Sequence, residues 1–253
     1  MPYKIHKYGW VHDLPDHRDL LYSAPNATIQ ALPPAVNLTS QCPPVYDQGQ
    51  LGSCTANAIA GAIQFTEMKE NLAIQGTPSR LFIYYNERAI EGTVSSDSGA
   101  QIRDGVKSVA SQGACLETLW PYDPAQFAVK PPQNCYTAAL QTVVKSYQRL
   151  TQSLSQLQGC LASGYPFVFG FTVYESFESQ AVASTGVVPM PAAKESSIGG
   201  HAVMAVGYDN PSQRFIVRNS WAATWGQAGY FTIPYAYVTS ASLASDFWTI
   251  RLV

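Results

Sequence analysis

Gln48-Gly49-Gln50-Leu51-Gly52-Ser53-Cys54-Thr55-Ala56-Asn57-Ala58 sets a glutamine amide six residues ahead of a cysteine, with a glycine-bearing turn between them and a helical run behind. A helix N-terminus carries about half a positive charge, and a thiol placed in that field has a lowered pKa. Cys54 stands where the Gly49–Ser53 turn meets the helix, so the spacing predicts a thiol poised toward its nucleophilic thiolate. Gln48 and the Cys54 backbone N–H can aim two donors at one point. An anionic tetrahedral intermediate needs such a pair, and one donor of this kind is typically worth about 3 kcal/mol.

Far downstream stand Gly200-His201-Ala202-Val203 and Arg218-Asn219-Ser220-Trp221. His201 leads a strand, and a turn at Asp209-Asn210-Pro211-Ser212-Gln213 precedes the next one. Two adjacent antiparallel strands bring residues 201 and 219 side by side. The Asn219 amide oxygen can then accept from one ring nitrogen and fix the tautomer, with Trp221 roofing the bond against water. The other three histidines, His6, His12 and His17, lie in the irregular N-terminal stretch. Nucleophile, base, orienting amide and oxyanion donor, in this order, are the parts of a thiol hydrolase.

Around these motifs the chain divides in two. Helical periodicity covers Cys54–Asn71, Ser79–Ile90 and Gly99–Gln112, with a shorter run at Ser153–Ala162. Strand composition follows at Phe167–Val173, His201–Tyr208, Arg214–Asn219, Gly229–Ile233 and Phe247–Leu252. Paired prolines keep the chain extended from Leu32 toward Tyr46. Helices first and strands later predict an α+β fold with segregated lobes and a cleft between them. Residues 1–31 are turn-rich and polar, and are expected to form an irregular extension on the surface.

Composition narrows the class. The 253 residues, 46% hydrophobic, suffice for one large domain or two packed lobes. The formal net charge of −2 offers nothing to nucleic acid or anionic lipid. The apolar run Tyr165–Tyr174 is too short to span a bilayer. Charged residues at only 13% and 15 tyrosines lean toward a secreted or periplasmic setting, although the chain shows no signal-peptide stretch. No close CxxC or HxxxH spacing supports a metal site, and no cofactor is expected. Five cysteines, at 42, 54, 115, 135 and 160, leave one unpaired by count, and their spacing does not pair the rest.

These residues resemble the papain-like cysteine peptidases, specifically their bacterial and archaeal branch. Members of that family place His and Asn roughly 130–150 residues after the cysteine; here the separations are 147 and 165. Asn219-Ser220-Trp221 with the later Trp225-Gly226 and Gly229-Tyr230 is similar to the family's Asn-Ser-Trp block. Gly9-Trp10, Asp16-His17-Arg18-Asp19 and Trp120-Pro121-Tyr122 point to the branch. The resemblance covers about residues 32–253. It implies a two-lobed fold: a helical lobe over about 48–140, and an antiparallel β-barrel-like lobe over about 32–47 and 141–253.

It further implies Cys54 as nucleophile, His201 as general base and acid, Asn219 as orienter and Gln48 as oxyanion donor. Asp97-Ser98-Gly99 resembles the wall that pairs with substrate backbone. Gly170, Gly199 and Ser245 fall near the pocket for the second residue before the scissile bond, and Trp221 borders the site. The resemblance also implies a Cys115–Cys135 disulfide, with Cys42 and Cys160 unassigned. Three departures stand out: Leu51 and Ser96 replace both ends of a family disulfide, and Thr55 replaces the aromatic that follows the nucleophile.

The expected partner is a peptide or protein substrate, and the expected state a monomer. Two rival activities use the same residues: peptide binding without cleavage, and acyl transfer to an amine. The main pocket is expected to prefer apolar side chains, with Asp246 the residue able to oppose that. Residues 1–31 lack the long helical propeptide of family zymogens; a strap across the lobes and a plug in the cleft both remain open.

Overall fold

The computed structural model describes residue 5, residues 7–72 and residues 76–252. Eight helices occur among them: α1 (Asn26–Gln30), α2 (Cys54–Lys69), α3 (Arg80–Glu91), α4 (Ile102–Gln112), α5 (Gln133–Ala139), α6 (Leu154–Ala162), α7 (Gln180–Thr185) and α8 (Tyr235–Val238). The strands are β1 (Trp10–Val11), β2 (Leu21–Tyr22), β3 (Ala35–Asn37), β4 (Ala100–Gln101), β5 (Ser146–Leu150), β6 (Phe167–Tyr174), β7 (Ser197–Asp209), β8 (Arg214–Arg218), β9 (Tyr230–Pro234) and β10 (Ala244–Arg251).

Helix α2 is buried on nearly every side, from Cys54 through Glu67. Its run of Ala, Ile and Phe has no polar face to offer water, so it sits centrally. Gly61 lets it approach the sheet closely: a Cβ there would lie 2.8 Å from the Arg218 guanidinium. Helix α3 starts at Ser79, whose side chain accepts from the Phe82 N–H, and stops at Gly92, whose φ of 71° closes the end. Helix α4 presents Ile102, Val106 and Val109 to the interior.

The large sheet runs β2-β5-β10-β6-β7-β8-β9, with β3 added on β7. Antiparallel pairing sets Phe171 opposite His201 and Phe169 opposite Val203 on β6 and β7. Alternation puts Phe167, Phe169 and Phe171 on one face, and the Phe169 ring stacks on Phe247 at 5.5 Å. This sheet is open, which corrects the barrel-like expectation: its ends, β2 and β9, do not meet.

The N-terminal segment departs from expectation most. It is not laid on the surface. Ile5, Trp10, Asp13, Tyr22 and Ala24 are buried in it. Strand β1 pairs in parallel with β4, and β2 in parallel with β5, so the segment ties the helical side to the sheet. Such short strands leave no periodic signal; they exist only because partners await them. Strand β5, of sequence Ser-Tyr-Gln-Arg-Leu, was also invisible to alternation, being largely half-exposed.

Candidate active site

Cys54 is the first residue of α2, so its N–H is among the donors a helix start leaves unpaired. The following strand residue approaches the sulfur: the Ala202 N–H donates to Cys54 Sγ at 3.4 Å. This places the thiol against β7, beside His201. His201 Nε2 lies 2.8 Å from Asn219 Oδ1, and that oxygen also accepts the Ser220 N–H at 2.8 Å. An amide oxygen accepts only, so Nε2 carries the proton and Nδ1 is left as the basic nitrogen. The Trp221 ring stacks on His201 at 5.0 Å and 29°, as the roof requires.

Gln48 is buried and doubly held. Its Nε2 donates to the Leu51 carbonyl at 3.0 Å, and its Oε1 accepts from Ser220 Oγ at 2.6 Å. One amide hydrogen remains to point toward an oxyanion. Ser220 was missed as a functional residue by sequence reading, although it sits within the Asn-Ser-Trp block. Its hydroxyl fixes which way the Gln48 amide faces.

Thr55 finds a role where the family has an aromatic. Its hydroxyl donates to Glu87 Oε1 at 2.6 Å behind the nucleophile. Burial pushes the Glu87 carboxyl well above its usual range, which favours its protonated form behind the nucleophile. Thr55→Val should cost about 1–3 kcal/mol of stability by leaving Glu87 without this donor. Urea denaturation measures it; an unchanged midpoint would remove the role.

The cleft is filled by the chain itself. The Gly9 backbone amide approaches the Cys54 sulfur, and the Gly9 carbonyl accepts from the Ala100 N–H at 2.8 Å. Tyr8 lies edge-on to His201 at 6.2 Å and bonds Glu178 through its hydroxyl at 2.6 Å. Trp10 fills the pocket floored by Gly170 and Gly200, where any Cβ would meet the indole at 1.9 and 2.6 Å. Gly199 faces Tyr8 in the same way, at 2.6 Å.

Several of the residues expected to bind substrate lie against Tyr8 to His12 of the segment. Gly99, Gly170, Gly199 and Trp221 do so, and the Ser245 hydroxyl lies 3.2 Å from His12 Nδ1. Asp97 has a further role: its carboxylate accepts from the Gly52 N–H at 3.0 Å and from the Tyr84 hydroxyl, so it braces the nucleophile loop. The Ser98 hydroxyl likewise bonds within the wall, to the Gly99 carbonyl at 3.1 Å. The implied Cys115–Cys135 bridge is not formed. The two lie together in a small cluster with Phe82 and Ala139, and all five cysteines are free thiols.

Enclosure sets the charge state of the pair. Burial pushes the Cys54 thiol up to about 12 and the His201 imidazolium down to about 4. With the segment in place, thiol and imidazole are both neutral, not the ion pair expected from the helix dipole. Desolvation outweighs the dipole because Cys54 is 0% and His201 1% exposed.

Beyond Trp10 the segment is anchored by charge. Asp13 accepts from the Trp248 indole at 2.8 Å and the Arg103 N–H at 3.0 Å. Arg103 pairs with Asp19 through both Nε and Nη2, at 3.0 and 2.5 Å. Burial and the Asp246 charge raise Asp13 to about 6, while burial raises Glu91 to about 7 and Glu67 to about 8. All three lie above their unfolded values. Their contribution to stability is complete below about pH 4 and is lost as pH rises through 6 to 8. The melting temperature should fall between pH 5.5 and 8.5, by on the order of 5 °C. A rise over that interval in a thermal scan would contradict these assignments.

A cysteine, a histidine fixed by an asparagine, and a buried glutamine held on the loop before the cysteine, set between helices and an open sheet, define a thiol peptidase. The sequence profile of the papain family cysteine proteases matches residues 32–247, and the chain belongs to that family. It is a papain-family cysteine peptidase. Xylellain, a cysteine protease from Xylella fastidiosa, superposes with a TM-score of 0.92 at 44% identity, covering 100% of this chain and 98% of the other. An uncharacterised peptidase C1-like protein of Acanthamoeba polyphaga mimivirus is 43% identical over 97% of this chain and 87% of its own length. Cysteine proteinase 3 of Entamoeba histolytica is 26% identical over 86% of this chain and 70% of its own.

Proposed function

We propose that the chain cuts peptide bonds through an acyl thioester on Cys54, and that its own N-terminal segment holds the cleft shut until displaced. The observation that carries the first part is the His201–Asn219 bond of 2.8 Å beneath Trp221, with the Cys54 sulfur on the adjoining Ala202 N–H. Cys54 attacks the carbonyl carbon while Nδ1 of His201 takes the thiol proton. His201 returns that proton to the leaving amine, and water then attacks the thioester to release the acid. Gln48 and the Cys54 N–H hold the oxyanion.

The inhibitory part rests on direction. By family resemblance, the pocket of Gly170 takes the residue two before the scissile bond. A substrate therefore runs from that pocket to the sulfur. The segment runs the other way: Tyr8 lies at Trp221, Gly9 at Cys54 and Trp10 in the pocket. The Gly9 carbonyl is turned to the Ala100 N–H at 2.8 Å, and the reversed run of the segment keeps it from lying as a substrate does. The segment also excludes water, which disfavours the reactive ion pair. Neutral pair and ion pair hold the same number of protons, so pH alone does not choose between them; opening does.

A fluorogenic peptide assay joined to a thiol-directed peptidyl epoxide tests the reading. Hydrolysis with label on Cys54 is expected. Label without product would favour a peptide binder, and product captured on an added amine in preference to water would favour acyl transfer. Neither label nor product from a folded, opened chain would end the peptidase proposal.

A further inference from the structure

We propose that Asp246 makes the Trp10 pocket selective for a substrate side chain that is flat and carries a ring N–H or O–H at its far end, tryptophan before phenylalanine. This rests on the reading of the cleft as the peptide-cutting site. Asp246 is 2% exposed and accepts the Trp10 indole N–H on Oδ2 at 3.2 Å. The same oxygen takes the Asp13 N–H at 2.9 Å, while Oδ1 takes Arg149 Nη2 at 3.0 Å. Both donors to Oδ2 thus belong to the segment. Once the segment leaves, a buried carboxylate oxygen faces the empty pocket without either donor. An unmade bond of that kind is costly, and the side chain that restores it is favoured.

The backbone supports a dedicated placement. Strand β10 bulges between Ser245 and Trp248 where it pairs with β6. Asp246, in that bulge, has φ of 60°, a region L residues other than Asn, Asp and Gly seldom adopt. Such bulges redirect a side chain beside a site. Here the turn aims the carboxylate at the pocket's end. The walls decide the shape of the occupant. Gly170 and Gly200 leave one side without a Cβ, so a flat ring lies directly against backbone there.

Charge decides between a neutral donor and a cation. Arg149 also touches Asp19 at 3.2 Å and Asp13 at 3.9 Å, both of them in the segment. After opening, Arg149 keeps Asp246 as its remaining acidic partner of these three, and the floor is a neutral ion pair. Arginine or lysine in the pocket would meet the Arg149 charge; an indole or phenol would not. This proposal keeps apolar walls and adds a polar acceptor at the floor.

The experiment uses the full chain and its Trp10→Ala variant, which vacates the pocket. Four peptidyl epoxides are compared by their rate of Cys54 labelling. They differ only at the residue entering the pocket: tryptophan, its benzothiophene isostere lacking the N–H, phenylalanine and arginine. Every probe waits on the same opening step, so rate ratios report the pocket alone. Tryptophan should react about tenfold faster than the isostere, as befits a hydrogen bond to a charged group. The ratio should shrink to about twofold in Asp246→Asn, which tolerates the same φ and keeps the shape. Equal rates for tryptophan and isostere, or arginine fastest, would overturn the proposal while leaving the peptidase reading intact. No label from any probe on folded Trp10→Ala would overturn both.

Discussion

Replacing Gly9 with alanine is expected to raise the rate of peptide hydrolysis by about 100-fold. A Cβ at this position would lie 1.7 Å from the Gly52 carbonyl oxygen and 2.3 Å from its carbon. Those are backbone atoms of the nucleophile loop, held in turn by Asp97 on the Gly52 N–H at 3.0 Å. They cannot give way as a flexible side chain would. Overpacking of this kind costs about 1–3 kcal/mol or more, and here it falls on the closed state alone. A shift of about 2.7 kcal/mol in the opening equilibrium is a factor of 100 in the open population. Gly99 reports the same crowding from the other wall, since its Cβ would meet the Gly9 carbonyl at 2.2 Å. Deleting residues 1–28 is a blunter test, because it also strips Asp13 from Trp248 and Asp19 from Arg103. Unchanged hydrolysis by a folded Gly9→Ala chain would dismiss the inhibitory segment.

In that opened background, Gln48→Ala should lower kcat by about 10²–10³-fold with little change in KM, the loss seen when one oxyanion donor is removed. Ground-state substrate carries no full charge on the carbonyl oxygen, so binding is spared and the transition state is not. Ser220→Ala should give a smaller fall, about tenfold. The serine touches no substrate; it holds Gln48 Oε1 at 2.6 Å and so keeps the amide nitrogen turned inward. A tenfold loss in kcat that Ser220→Thr restores would mark it as a positioning residue. A rise in KM for Gln48→Ala with kcat unchanged would remove Gln48 from the oxyanion role.

The catalytic set was legible because each member is marked by neighbours in the chain. Cys54 opens a helical run behind a glycine-bearing turn, His201 leads an apolar strand after two glycines, and Asn219 follows the next strand and precedes Trp221. Helix and strand periods are local properties, so α2, α3, α4, β6, β7 and β8 were found within a residue or two, except the start of β7 and the start of α4. The bracing role of Asp97 was not legible because it is exerted on Gly52 and Tyr84, contacts that no spacing announces. Ser220 was passed over because its partner is 172 residues away.

What the sequence determined by itself was the pair of lobes and the identity of the reactive groups, since both follow from short-range periodicity and from residue types suited to one chemistry. The tertiary structure alone decided that the sulfur and imidazole sit uncharged under a covering strand, and that Asp246 closes the pocket. Those outcomes depend on desolvation and on which side chains a folded groove brings within reach. Gly9 and Cys54 are 45 residues apart in the chain, and nothing between them encodes that the backbone of the one will cover the sulfur of the other.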